Sequence, residues 1–440
     1  MSRLLGPLEA TAQSAAALFS PRSSQRTSSS VLRSGRDYAS RYQRLHVPSP
    51  FCRRWCSAAP ERTSDPLHIL FCGSDEFSCA SLKALHDEHV RNPDLIRSID
   101  VVVRPGKRTG RGYKVVRHPP IRSFAERLGL QIHERDTFTG WSMPPKTNLI
   151  IAVSFGLFVP RRLLHGAKYG GLNLHPSLLP DLRGPAPLQH TLLSAREFTG
   201  VSLQTLDDTA FDHGVVLSQT RPNALRIPPS CKTVPDLQAL VTPVAVEMLL
   251  DGLRRGLHVP PLEDKGRKPG AATTALVHSS APKITKADRR LVLAAQTSSL
   301  ARRHAAIGPL WFWARDRRGG RKRVIVESLE ELSADVSAPH IPNILTTNPQ
   351  SPSSVPSTYK QFLVRLEEEE EEEEEARIEG DGTNTPRPNK YLVFWDDFSI
   401  IPKGEKGTLC LGNCRVLSLK VEGHKANTPR LALQNFIIDP

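Results

Sequence analysis

Asn148–Ser154 reads Asn-Leu-Ile-Ile-Ala-Val-Ser, five apolar residues in a row between two polar ones. A run this short and this continuously apolar predicts a strand of a buried sheet. Upstream, Leu67–Phe71 is a second such run, ended by the turn-forming Cys72-Gly73-Ser74-Asp75. Helical spacing follows over Ser78–His86, a strand over Ile99–Val103, and a helix over Ile121–Leu128 stopped by Gly129. Downstream come a short strand at Gly171–Leu174, a helix from about Pro187, a strand at Val201–Leu206 and a long helix at about Pro235–Leu253. Strands alternating with helices imply right-handed βαβ units. The expected class is therefore α/β, a Rossmann-like mostly parallel sheet with helices on both faces. In such sheets ligands bind beyond the C-terminal ends of the strands.

Composition divides the rest of the chain. Residues 67–265 hold the alternating pattern, and Gly266–Thr274 is polar and Gly/Pro-bearing, so 266–275 reads as a linker. Beyond it, 276–440 gives short β-like runs at Val324–Glu327, Tyr391–Trp395, Thr408–Leu411 and Arg415–Val421, a small mostly β domain. A Ser/Pro/Thr-rich stretch at about 331–388 interrupts it and contains nine consecutive Glu, Glu367–Glu375. Like charges in series repel and bury nothing, which predicts a disordered insertion.

The net charge of +14 is uneven: residues 1–60 carry nine Arg, no Lys, twelve Ser and only Glu9 and Asp37 as acids. That balance is the signature of an organellar transit peptide, a mitochondrial one being favoured over a plastid one, with a disordered basic tail as the alternative. No apolar run approaches the ~20 residues that span a bilayer, so no stable membrane association is expected. The seven cysteines form no CxxC pairs with matching His, which argues against a structural zinc site. No metal is expected.

Chemistry concentrates in Asn173–Gln189, Asn-Leu-His-Pro-Ser-Leu-Leu-Pro-Asp-Leu-Arg-Gly-Pro-Ala-Pro-Leu-Gln. Residues i and i+2 of a strand point to the same side, so Asn173 and His175 can present an amide and an imidazole to one substrate atom. That pair suits stabilisation of an oxyanion, and the imidazole suits proton transfer near neutral pH. Alone, an N-x-H pair is more readily a turn Asn and a strand-capping His, because such pairs are common by chance. Downstream, Phe211-Asp212-His213-Gly214 sets a carboxylate before a Gly, at the mouth of the same cleft or, alternatively, in an Asx turn.

The combination HPSLLPxxRGxxP, TGV…FDxG and an early FxGSxxF resembles the formyltransferases that use 10-formyltetrahydrofolate, most closely the branch acting on methionyl-tRNA, over about 67–330. The resemblance implies catalytic roles for Asn173, His175 and Asp212. It implies folate contacts for Ser177, Leu178, Leu179 and Pro180, and a pterin-lining strip at Gly156, Leu157 and Phe158. It also implies direct attack of an amine on the formyl carbon, with Asp212 holding His175 and assisting proton removal. The C-terminal domain is then expected to be a barrel resembling an OB fold that contacts tRNA.

Relatives also formylate glycinamide ribonucleotide or sugar amines, and Pro176 after the His is frequent in the ribonucleotide enzyme. Three features favour an initiator methionyl-tRNA acceptor. Arg183-Gly184-x-x-Pro187 follows the tRNA branch. Arg104–Arg122 holds seven Lys/Arg and no acid, a flexible basic loop in which Arg104, Lys107, Arg108, Arg111 and Lys114 would grip phosphates, unless it is merely solvated. Residues 276–325 carry twelve Lys/Arg against Asp288 and Asp316. A small-amine formyltransferase and a non-catalytic RNA-binding protein are the alternatives. The expected protein is monomeric and resides in the mitochondrial matrix.

Overall fold

The computed structural model describes residues 62–266, 279–291, 298–332, 344–345, 360–366, 391–396, 409–411 and 414–438. The expected transit segment, the linker beyond Gly266 and most of the acidic insertion lie outside the described residues.

The first half of the chain alternates as its pattern predicts. Strand β1 (Leu67–Gly73) leads into α1 (Glu76–Arg91), whose start is fixed by the Asp75 carboxylate accepting from Ser78 N at 3.0 Å. Strand β2 (Ile96–Val103) is followed by β3 (Lys107–Thr109) and β4 (Val115–Arg117), then by α2 (Pro120–Arg127) and β5 (Gln131–Glu134). The apolar run within Asn148–Ser154 is β6 (Leu149–Val153), buried at every position. After it come α3 (Arg161–Gly166), β7 (Gly171–His175), α4 (Pro187–Leu193), β8 (Phe198–Thr199), β9 (Ser202–Thr205), β10 (Val216–Gln219), β11 (Leu225–Arg226) and α5 (Val234–Arg254). A capping box between Thr233 and Asp236 starts α5.

Burial explains why these strands are apolar throughout. Ile69, Phe71, Ile151 and Val153 face one core with Leu82 and Leu85 of α1 and Leu237, Val241 and Leu249 of α5. Leu70, Cys72, Ile150 and Ala152 face a second core with Leu163 and Leu164 of α3, Phe138 and Phe155. Successive residues point to opposite faces, so a sheet covered on both sides needs apolar residues at every position.

The sheet runs β10-β9-β7-β6-β1-β2-β5. β5, β2, β1, β6 and β7 are parallel, whereas β9 pairs antiparallel with both β7 and β10. The chain builds outward from β1 to β5, then returns to β6 on the other side of β1. The loops leaving β1 and β6 therefore diverge, which opens a crevice at their C-terminal ends. Asp75 stands in that crevice, its carboxyl held above the usual range by burial despite hydrogen bonds from Ser78 and Ser154.

The C-terminal part begins with α6 (Ser298–Ile307), β12 (Leu310–Arg315) and β13 (Arg321–Glu331). Strands β14 (Ile344–Leu345), β15 (Lys360–Arg365), β16 (Tyr391–Asp396), β17 (Leu409–Leu411) and β18 (Cys414–Val421), helix α7 (Pro429–Leu433) and β19 (Ile437–Ile438) complete it. The strands form an eight-stranded antiparallel sheet in the order β12-β13-β18-β17-β16-β15-β19, with β14 on β16. The sheet curls until Ala314, beside β13, also bridges Leu366 at the end of β15, a half-barrel of the kind an OB-like domain uses. Trp311 and Phe312 are core residues, and the Trp311 indole donates to Lys286 O at 2.9 Å. Among the described residues no helix is long and apolar enough to cross a membrane.

Candidate active site

Strand β7 delivers Asn173 and His175 to the C-terminal rim of the sheet, and the loop 207–215 brings Asp212 against them. The Asn173 amide donates to Asp212 Oδ1 at 2.9 Å, and His175 Nδ1 lies 3.4 Å from the same oxygen. The three residues singled out in the sequence therefore converge, although 39 positions separate Asn173 from Asp212. His175 is 5% exposed, so its polar contacts are made in a nearly dry setting.

The imidazole orientation comes from a backbone group that no side-chain pattern names. His175 Nε2 lies 2.9 Å from the carbonyl oxygen of Leu182. A carbonyl can only accept, so Nε2 carries the proton, and Nδ1 is the nitrogen turned toward Asp212. Asp212 faces one end of the ring, as expected of a residue that holds it, and the loop backbone fixes the other end.

Asp212 is itself held from several sides. Its Oδ1 also accepts from Gln204 Nε2 at 2.9 Å, its Oδ2 from Gly184 N at 2.9 Å, and its backbone carbonyl from Arg183 Nε at 2.8 Å. Asp212 adopts φ 58°, the left-handed region that Asp tolerates better than most residues and that recurs at functional turns. Gly214 completes the motif for a steric reason: a Cβ there would lie 1.8 Å from Thr205 O on β9. The FDxG spacing is what lets this turn lie flat against the sheet.

The loop from Pro176 to Gly184 is tied down along its length. Ser177 Oγ donates to Asp181 O at 2.7 Å, and Ser202 Oγ donates to Ser177 O at 2.7 Å while accepting from Leu179 N at 3.1 Å. Gln219 Nε2 donates to Leu179 O at 2.8 Å. Ser177 and Leu179 are thereby buried, leaving Leu178 and Pro180 as the partly exposed side chains of Ser177–Pro180. The segment 279–281 braces the loop from outside. Leu182 N donates to Ser279 O and Ala281 N to Arg183 O, both at 2.7 Å, while Asp181 pairs with Arg196 and accepts from Ser279 Oγ at 3.0 Å. Gly184 permits this approach, since a Cβ there would lie 2.5 Å from Ala281 O. Asp181, Arg196, Gln204 and Ser279 were not found by sequence reasoning. Their signals are single polar residues with no motif around them.

The strip Gly156-Leu157-Phe158 leaves the end of β6. Ser154 at φ 50° and Gly156 at φ 68° turn the chain so that Phe155 enters the core while Gly156 is exposed. Leu157 and Phe158 are partly exposed, and Phe158 meets Phe211 edge to face with ring centroids 5.2 Å apart. Phe211 is one of the few exposed large apolar side chains described, and it immediately precedes Asp212.

The basic segment after β2 is a β-hairpin where the sequence suggested a flexible loop. Lys107–Thr109 pairs antiparallel with Val115–Arg117, Thr109 Oγ1 donates to Val115 O at 3.2 Å, and Gly110 and Gly112 take positive φ in the turn. Lys107, Arg108 and Lys114 are exposed, beside the exposed Tyr113, Val115 and Val116. Arg111 lies in the turn itself. Arg104 differs from the others: it is mostly buried and forms an ion pair with Asp136, with Nε at 3.0 Å.

The model of the Formyl transferase family matches residues 67–249. The chain is 31% identical over 297 residues to the mitochondrial methionyl-tRNA formyltransferase of Saccharomyces cerevisiae, covering 59% of this chain and 72% of that protein. It is 30% identical over 257 residues to the mitochondrial methionyl-tRNA formyltransferase of Homo sapiens, covering 58% of this chain and 60% of that protein. Among solved structures, a sugar N-formyltransferase from a Shewanella species aligns with a TM-score of 0.41 at 15% identity, covering 58% of this chain and 95% of that one. With 31% identity across 72% of the yeast protein, the chain belongs to the methionyl-tRNA formyltransferase family.

Proposed function

We propose that this protein transfers the formyl group of 10-formyltetrahydrofolate to the free α-amine of methionyl-tRNA, the initiator species, in the mitochondrial matrix. The observation that carries the reading is the convergence of Asn173, His175 and Asp212 on one carboxylate oxygen at the end of β7. The Arg-rich, acid-poor N-terminus supports a mitochondrial location, as do relatives from yeast and mammals named as mitochondrial enzymes.

The folate co-substrate fits the crevice between the ends of β1 and β6. The exposed backbone at Gly156 and the partly exposed Leu157, Phe158, Leu178 and Pro180 offer the apolar walls and main-chain groups that a pterin requires. When bound there, the folate supplies an electrophilic formyl carbon. Asn173 Nδ2 has two hydrogens and uses one on Asp212, so the other is available to the formyl oxygen as negative charge develops on it. His175 contributes through Nδ1, because Nε2 is held by Leu182 O. Asp212 steadies the ring at Nδ1, takes the proton that the amine releases as it bonds to the formyl carbon, and returns that proton to N10 of the folate as the bond from N10 to the formyl carbon breaks. Pre-set donors and a fixed imidazole tautomer reduce the reorganisation needed during reaction.

For tRNA, Lys107, Arg108 and Lys114 on the hairpin are the residues offered to phosphates, with Arg111 in the turn. Arg104 plays a smaller part because Asp136 already balances its charge. The deciding assay supplies 10-formyltetrahydrofolate with either methionyl-tRNA or glycinamide ribonucleotide and follows formylated product. Turnover with the small amine and none with the tRNA would overturn the acceptor assignment.

A further inference from the structure

Strand β9 is the antiparallel neighbour of β7, and its register sets Gln204 directly opposite Asn173. Cross-strand partners place their side chains on the same face of a sheet. Two primary amides therefore flank one carboxylate, Asn173 Nδ2 and Gln204 Nε2 each lying 2.9 Å from Asp212 Oδ1. Gln204 is 1% exposed, and its Oε1 is buried with no hydrogen-bond partner among the described residues. The amide cannot be turned round to relieve this, because Oε1 would then face the carboxylate oxygen, acceptor against acceptor. A buried acceptor left unpaired is unfavourable, so the arrangement persists because the Nε2 contact to Asp212 outweighs it. Purely structural packing at this position would be better served by an apolar residue of the same size.

We infer that Gln204 is a positioning residue for the formyl-transfer reaction, holding the Asp212 carboxylate aimed at Asn173 and His175. The inference rests on the catalytic reading of Asp212 given above. Gln204 touches no reacting atom and acts through Asp212. With Gly184 N on the other oxygen, its Nε2 fixes the rotation of the carboxylate. That rotation puts Oδ1, and not Oδ2, beside His175 Nδ1.

The test compares the full-length protein with Gln204→Leu and Gln204→Glu, measuring kcat, both KM values and the pH dependence of kcat/KM in methionyl-tRNA formylation. Losing a donor to a charged acceptor predicts a kcat lower by about ten- to one hundredfold in Gln204→Leu, with both KM values within about twofold of the parent. Gln204→Glu sets a second carboxylic group against Asp212. While the pair shares one proton the new side chain can donate as the amide did, and once that proton leaves, two like charges face each other. Its activity is therefore nearest the parent at acid pH and falls away as pH rises, giving an alkaline limb absent from Gln204→Leu. A residue with only a packing role would leave kcat of the similarly sized Gln204→Leu near the parent value. Parent-like kcat and pH profile in Gln204→Glu overturn the inference, and so does a Gln204→Leu loss that resides in KM alone. Should Gln204→Leu not fold, the isosteric Gln204→Glu still decides the matter by its profile. An inactive parent would instead refute the proposed function, which keeps the two failures apart.

Discussion

Replacing Asp212 by Asn removes a charge and almost no volume, and the hydrogen-bond geometry gives the consequence. Oδ1 of Asp212 accepts from two amides, Asn173 Nδ2 and Gln204 Nε2, and Oδ2 accepts from Gly184 N. An Asn has one oxygen for these two places. With its oxygen toward the side-chain amides, its NH2 meets the Gly184 N–H; reversed, its NH2 meets two NH2 groups. Either way at least one buried donor loses its acceptor, which costs about 1–3 kcal/mol, and the remaining bonds lose the charge that strengthened them. Folding stability in urea should thus fall by roughly 2–4 kcal/mol. The catalytic loss should be larger. Without a carboxylate there is neither a counter-charge for His175 Nδ1 nor an acceptor for the amine proton, so kcat falls by about 10²–10⁴. The assay is single-turnover formylation of methionyl-tRNA with the variant shown to be folded by its denaturation curve. A folded Asp212→Asn protein within about tenfold of parental kcat would refute the assignment of Asp212 to the chemistry.

Further outcomes follow from other parts of the molecule. Gly214→Ala puts a Cβ 1.8 Å from Thr205 O, so β9 must move, and urea denaturation should show a loss of about 3 kcal/mol together with lowered kcat. Lys107→Ala, Arg108→Ala and Lys114→Ala combined should weaken tRNA binding and lower the slope of log affinity against log salt by about 2–3, leaving the folate KM unchanged. Arg104→Ala should change that slope by less than any one of them, because its charge already faces Asp136. His258, buried with Nδ1 unpartnered among the described residues and Nε2 2.9 Å from Ser64 Oγ, has its pKa pushed down to about 4 by burial. Its folded pKa lies below its unfolded one, so the stability it confers is fully present above pH ~6.5 and is lost as pH falls from there towards 4. The span is roughly 3 kcal/mol, and His258→Gln should flatten the stability profile across that window.

The alternation of strand and helix was legible in the sequence because both faces of the sheet are covered. Runs such as Leu149–Val153 had to be apolar at every position, a signal that needs no knowledge of neighbours. Asn173 and His175 were legible as a pair because strand geometry places i and i+2 on one side, a local property. The Gly after Asp212 was visible, although its reason, the backbone of β9 lying against it, was not. What remained hidden depends on contacts between distant segments. The antiparallel turn of β9 against β7 could not be read from a run of apolar residues, and it alone brings Gln204 to Asp212. The imidazole tautomer is set by a backbone carbonyl, which every residue possesses and no side-chain pattern announces. The brace of residues 279–281 on the active loop and the pairing of Arg104 with Asp136 likewise join segments that share no motif. Local rules of period, turn and charge thus determined the elements and the placing of Asn173 and His175 on one side of a strand. The folded chain alone decided which hydrogen bonds orient them, because orientation is set by whichever distant backbone and side-chain groups the sheet order brings within about 3 Å.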